Sequence, residues 1–223
     1  MVGKSRSGLA NDRRGYRCAR DCFTPTPMPM PMPIPKCSSI TYINLADIAT
    51  YNSVNKKWLL NKDTTITRCQ ELVMPIDPLQ SVLLEINGFK LQNDGIISYE
   101  PYSGPNPNWV GFLISNFGSL INNNICLTGN TDFGIISNGK LINNGYFLNA
   151  TYFYVETSGI VQNNNKFINS TRIDVYDGGT ITNNGTFVNN GEIRKADGSS
   201  TCGIGTINGT NGIVGNAIVI SCP

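Results

Sequence analysis

The chain has 223 residues, 40% of them hydrophobic but only 14% charged, and it contains no histidine. Without imidazole there is no ordinary proton switch near neutral pH; Ser-His-Asp and Cys-His catalysis are excluded, and most zinc sites go with them. The net charge of +2 conceals an asymmetry, because residues 1–22 hold Lys4, Arg6, Arg13, Arg14, Arg17 and Arg20 against Asp12 and Asp21 while the rest is slightly acidic.

In chain order, residues 1–22 form a basic arm, a surface for nucleic acid or another acidic partner, or else a solvated tail. The arm leads into "CARDCFTPTP" rather than an apolar run, so no secretory leader is expected. No apolar stretch approaches the ~18 residues of a membrane span. Residues 23–37 carry proline at every second position from Pro25 to Pro35, which predicts an extended polyproline-type spacer. Residues 38–80 are mixed in character, including one short helix, and are expected to form an N-terminal cap. Residues 81–223 are predicted to be the main domain with its own C-terminal cap. Asn and Gly, at 29 and 23 residues, interrupt this region so often that long helices are not expected.

One phrase recurs in that domain: "GKLINNGYFLN" from Gly139, "GIVQNNNKFIN" from Gly159 and "GTITNNGTFVN" from Gly179, 20 residues apart. From Gly118 to Gly139 the spacing is 21, and weaker copies stand at 90–98 and 206–214. Alignment gives columns. Leu120, Leu141, Val161 and Ile181 fall together, as do Cys126, Phe147, Phe167 and Phe187, and also Leu127, Leu148, Ile168 and Val188. Asn122, Asn143, Asn163 and Asn183 make an Asn column, with Asn123, Asn144, Asn164 and Asn184 beside it. Three short apolar runs per 20 residues, separated by Asn/Gly corners, predict an all-β fold: a single-stranded right-handed parallel β-helix, or β-solenoid, with ~20-residue coils. Equivalent residues then stack about 4.8 Å apart. The apolar columns are expected to form internal ladders, and the Asn amides to hydrogen-bond along theirs. The Asn/Gly corners are expected to use left-handed backbone. A propeller or sandwich is the alternative, for which the interval is short.

"LVMPIDPLQSVLLEINGFKLQNDGIIS" followed by the "GKLINNGYFLN" units resembles Asn/Gly-rich parallel β-helix repeat proteins of large amoeba-infecting DNA viruses. Bacterial surface proteins share the style. The resemblance covers roughly residues 70–215 and rests on a degenerate structural repeat. It implies a virion structural or surface component, often self-assembling, made in the host cytoplasm. The alternative location is a cell surface.

Seven cysteines are present. Cys202 and Cys222 stand one coil apart, within disulfide reach if stacked. Cys18, Cys22, Cys37 and Cys69 are further candidates for bridges or inter-subunit links. Disulfides need an oxidising step after cytosolic synthesis, which viruses of the resembled kind commonly supply with a thiol oxidase. Cys126, in the Phe column, reads as a small buried hydrophobe. Cys18 and Cys22 lack a second pair, so no metal site is expected, nor any cofactor. The Asn-x-Ser/Thr sites at Asn149, Asn169, Asn184 and Asn208 are no more than composition predicts. The repeat's acids, Asp132, Glu156, Asp174, Asp177 and Glu192, share no column, since Glu156 stacks with Tyr176 and Asp174 with Tyr154, so an enzyme is not expected. Tyr146, Tyr152, Tyr154 and Tyr176 are candidate glycan contacts, because outward aromatic rings stack on sugars. The expectation is therefore a non-enzymatic structural protein that self-associates, as a trimer or larger array, with other structural proteins of the same particle. The rival classes are a glycan-binding adhesin and a polysaccharide-acting enzyme.

Overall fold

The computed structural model describes residues 37–75, 82–99, 110–128, 132–156, 158–176, 178–195, 206–209, 213–215 and 218–220. The basic arm and all of the Pro-rich spacer before Cys37 lie outside them, as do Cys18, Cys22, Cys202, Cys222 and Asp177.

In the repeat region Gly and Asn cut the chain into four-residue strands, each of which pairs with its copies in the coils before and after it. Lys140–Asn143, Tyr146–Asn149 and Tyr152–Val155 make one turn of the chain. Ile160–Asn163, Lys166–Asn169 and Arg172–Val175 make the next. They pair in parallel register, Leu141 with Val161, Phe147 with Phe167 and Phe153 with Ile173. Repetition builds three sheets, parallel throughout except for one antiparallel strand at the start of the third. Sheet I, through Lys140–Asn143, has seven described strands; sheet II, through Tyr146–Asn149, has eight; sheet III, through Tyr152–Val155, has nine. The fold is thus a parallel β-solenoid, as the repeat predicted.

The stack begins earlier than the sequence suggested. Thr64–Ile66 and Gln70–Met74, placed in the expected cap, already pair in parallel with Lys90–Asn93 and Ile96–Tyr99. Thr41–Ile43 pairs in parallel with Gln70–Met74 and Lys57–Leu60 in parallel with Val82–Asn87, so both extend the sheets; only the short helix Leu45–Ile48 and the strand Ala49–Asn52, antiparallel to Lys57–Leu60, depart from the solenoid pattern. A disulfide joins Cys37 to Cys69, Cα atoms 5.7 Å apart. It staples the incoming chain where Thr41 N–H bonds the Cys69 carbonyl at 2.9 Å. Closing a loop with a sequence separation of 32 stabilises by about 4 kcal/mol through loss of unfolded-state entropy. Irregular coil lengths have a common origin. Ser119 pairs with Lys90, 29 residues back, and with Lys140, 21 residues on. In both cases the extra residues fall between the sheet II and sheet III strands.

The interior is closed by columns. Sheet I contributes Leu91, Leu120, Leu141, Val161 and Ile181, all 0–1% exposed. Sheet II contributes Leu72, Ile97, Cys126, Phe147, Phe167 and Phe187, each fully buried. Phe147, Phe167 and Phe187 stack face to face at 4.7 and 4.6 Å. Cys126 is a free, buried thiol among them, and burial pushes its pKa up, away from thiolate. Sheet III supplies a column the repeat did not reveal: Phe112, Phe133 and Phe153, giving way to Ile173 and Ile193. Phe133 and Phe153 meet Phe147 edge-on at 5.4 and 6.1 Å, so the large rings pass from sheet III to sheet II as the stack rises. Where sheet II holds the small Cys126, sheet III holds Phe133; where sheet III drops to Ile173, sheet II holds Phe167. Exchanging the ring between walls keeps the cross-section filled, as a close-packed interior requires.

Two expectations need correction. The column Leu127, Leu148, Ile168 and Val188 is not internal: it alternates with the Phe column and therefore lies on the outer face of sheet II. Nor are the Asn-Asn-Gly corners left-handed. Positive φ occurs instead between sheets III and I, at Asn116, Phe117, Ser137, Asn138, Ser158 and Gly178. Gly139 and Gly159, which open the repeated phrase, are needed for another reason. A Cβ there would sit 2.2 Å from the carbonyl oxygen of Ile114 or Ile135 in the preceding coil.

Candidate functional site

Asparagine ladders hold the corners. Asn93, Asn122, Asn143, Asn163 and Asn183 are 0–1% exposed. The Nδ2 of Asn93, Asn122, Asn143 and Asn163 each donates to the Oδ1 of the next, at 2.7–2.8 Å, and also to a carbonyl of the coil above, such as Lys166 O from Asn143 at 2.9 Å. Beside them on the surface, Asn184, Asn164, Asn144 and Asn123 donate in the opposite sense, each to the coil below, until Asn123 reaches the Asp94 carboxylate at 2.7 Å. A third ladder, at the corner between sheets II and III, was not foreseen. Thr128 donates to Asn149, Asn149 to Asn169 and Asn169 to Asn189, at 3.2, 2.8 and 2.7 Å. Its signal was present as Asn149, Asn169 and Asn189 recurring every 20 residues. Two of these are also Asn-x-Ser/Thr sites, yet at 0% exposure they are closed to glycosylation in the folded chain.

These ladders hold the outer faces rigid, and two faces differ in chemistry. On sheet III, alternation turns Tyr152, Tyr154, Arg172 and Asp174 outward, and Tyr176 follows at the strand end. Asp174 is nonetheless 0% exposed. Arg172 covers it, donating from Nε to Oδ1 at 2.8 Å and from Nη2 to Oδ2 at 2.5 Å. Tyr152 and Tyr176 hydroxyls donate to Oδ2 at 2.9 and 3.2 Å and lie 2.8 Å apart. The guanidinium also sits 5.3 Å from the Tyr152 ring centroid. The bond to Asp174 holds Arg172 more firmly cationic than usual. Burial, then the hydrogen bonds to Tyr176 and Asp174, push the Tyr152 phenol up. The Tyr154 ring lies over Gly134, where a Cβ would come within 2.3 Å of it, and 5.6 Å from Tyr152. Burial first, and the charge of Glu156 next, push the Tyr154 phenol up to about 12.

Three of the four tyrosines read from the sequence thus converge here. Tyr146 does not; it stands on sheet II beneath Lys166, whose Nζ is 5.8 Å from its ring centroid. Of the acids, Asp174 has both oxygens engaged by Arg172 and the tyrosines, so it holds the cluster together. Tyr154 stacks with Asp174 as predicted, and Glu192 pairs with Arg172. Arg172 was not singled out from the sequence. Its clue was Arg-x-Asp, whose i and i+2 side chains share one strand face.

The outer face of sheet II is the contrast. Twelve outward positions run from Glu71 and Val73 to Thr186 and Val188, and only Glu71 and Lys166 among them are charged. Ile96, Leu127, Tyr146, Leu148 and Val188 are half-buried there, and Ile125 and Ile168 are 7% and 5% exposed. Among the described residues no helix is long and apolar enough to cross a membrane.

No family model, no curated protein and no solved structure matches the chain.

Proposed function

We propose that this protein is a non-enzymatic structural component of a large assembly, a capsid-associated or surface component of a virion, which self-associates through its solenoid and is tethered by its N-terminal arm. The observation that carries this reading is the outer face of sheet II, mostly apolar and with two charges in twelve positions. Contiguous apolar surface of that kind marks protein–protein contact. The ladders support it, because they make each coil a fixed template for the next. The virion assignment rests on the likeness of the Asn/Gly repeats to those of amoeba-infecting viruses. The test is quantitative mass spectrometry of purified particles. A structural component is expected at tens of copies or more per particle; absence from washed particles removes the reading.

A second reading, glycan binding, is favoured by the Tyr152–Tyr154–Tyr176 cluster clamped by Arg172 and Asp174. Fixed aromatic faces beside a cation suit the apolar faces and hydroxyls of a sugar. A glycan array with the wild-type chain and Tyr154→Ala separates it from a purely structural role: signal lost in the variant supports binding, and no signal above background in either removes it.

A further inference from the structure

We propose that the outer face of sheet II is the contact between two copies of this chain, packed face to face with their stacks running in opposite directions. The inference rests on the structural role proposed for the chain and identifies the partner. The coils are counted by their sheet II strands: Gln70–Met74, Ile96–Tyr99, Ile125–Thr128, Tyr146–Asn149, Lys166–Asn169 and Thr186–Asn189. Glu71, Ile96, Ile125, Tyr146 and Lys166 succeed one another in a single outward column. The acid is two coils below Ile125 and the base two coils above it.

That placement is self-complementary under one two-fold rotation. An axis along the Ile125–Thr128 strand, in the plane of the contact, reverses the stack and keeps the column. Glu71 of each copy then faces Lys166 of the other, twice over. Between the two ion pairs Ile96 opposes Tyr146, and Ile125 opposes its own copy. In the neighbouring column Val73 opposes Ile168 and Ser98 opposes Leu148. No like charges meet at these positions. The alternative two-fold, along the stack, would set Glu71 against Val73 and Lys166 against Ile168, burying four unpaired charges, which is costly. Packed sheets lie about 10 Å apart, a gap that a glutamate and a lysine side chain span together. Isologous pairing of this kind closes on itself.

Magnitude sets the conditions of the test. The ten outward positions that overlap, from Glu71 and Val73 to Lys166 and Ile168, at about 4.8 by 6.8 Å each cover roughly 330 Å² per copy, against about 800 Å² for a standard stable interface. The dimer is therefore weak in solution and gains strength where an assembly holds copies together. Sedimentation velocity of the full chain from about 5 to about 200 μM is expected to show a monomer–dimer equilibrium. Glu71→Lys and Lys166→Glu should each weaken it about tenfold. The double variant carrying both changes should restore it, because every pair is remade with its charges exchanged. Leu148→Asp should abolish the dimer while circular dichroism stays that of the wild type. A monomer at every concentration overturns the proposal and leaves the face to a different partner. A dimer indifferent to the charge reversals, or a double variant no better than the singles, overturns it too. A monomeric chain abundant in purified particles sinks this pairing but not the structural reading; a dimer absent from particles does the reverse.

Discussion

Asn143 and Asn144 are sequence neighbours in the same repeated corner, and both belong to ladders that bond every coil to the next. One ladder is sealed inside and donates toward the C-terminal coils; the other stands in water and donates toward the N-terminal coils. The side-chain dipoles of the two rows therefore run in opposite directions, side by side. What differs is the alternative open to each amide. An exposed Asn that loses its partner finds water, whereas a buried one is left bare, at about 1–3 kcal/mol per unsatisfied group. The inner ladder fixes the corner; the outer one decorates it.

The sharpest way to break the contrast is Asn163→Asp. The carboxylate cannot donate to Asn183 Oδ1 or Thr186 O, which Asn163 now meets at 2.7 and 3.0 Å. A loss of about 3–5 kcal/mol is expected at pH 7 from a buried charge facing two acceptors, read from the urea midpoint and its slope. Because burial favours the neutral acid, the loss should shrink on acidification. If Asn164→Asp costs as much, the distinction between the two rows fails.

A smaller step tests the third ladder. Thr128, 2% exposed, donates to Asn149 Oδ1 and accepts from Ala150 N–H at 3.1 Å. Thr128→Val keeps the shape and removes both bonds, so a loss of about 1–2 kcal/mol is expected in the same measurement. A loss within error would mean that this ladder, though sealed, behaves like the outer row.

Outward-facing groups offer a subtler test, since Tyr154 lies on the outside and is still largely covered. Its phenol loses a proton in the unfolded chain from its ordinary value of 10.0, but in the folded protein only at about 12. The neutral form is the one folding favours, so its contribution is complete below pH 10 and declines between 10 and 12. Tyr154→Phe should flatten part of that alkaline decline in thermal melts, and Tyr152, shifted the same way, contributes to the rest. Identical slopes in wild type and variant would show that the outer cover is leaky.

The smallest effect is expected from Asn164→Ala. Removing an exposed rung should move stability by no more than about 0.5 kcal/mol, and a change above about 1 kcal/mol would raise the outer row to the rank of the inner one.

Much of this was legible in the chain. The recurrence of Leu141, Val161 and Ile181, and of Phe147, Phe167 and Phe187, named two of the three walls and the register between coils. The third wall hid because Phe112, Phe133 and Phe153 give way to Ile173 one coil after Phe enters the other column, and because insertions fall at that corner. The Cys37–Cys69 bridge was one of several open pairings, since no periodicity spans the cap. At the candidate site, Tyr152, Tyr154 and Tyr176 were found by type alone. Their grouping, the exclusion of Tyr146 and the burial of Asp174 by Arg172 depend on which sheet each strand joins.

The sequence by itself determined the coil, because a residue that recurs every 20 positions in a chain of short strands must stack on its own copies. Only the tertiary structure decided which columns face inward. Four-residue strands hold two side chains on each face, too few for alternation to show which is the core side, and Leu148 and Phe147 look equally apolar on paper. Closing three sheets around one axis settled it. That closure sealed one row of asparagines and wetted the other, buried an aspartate among tyrosines, and left an apolar wall outside.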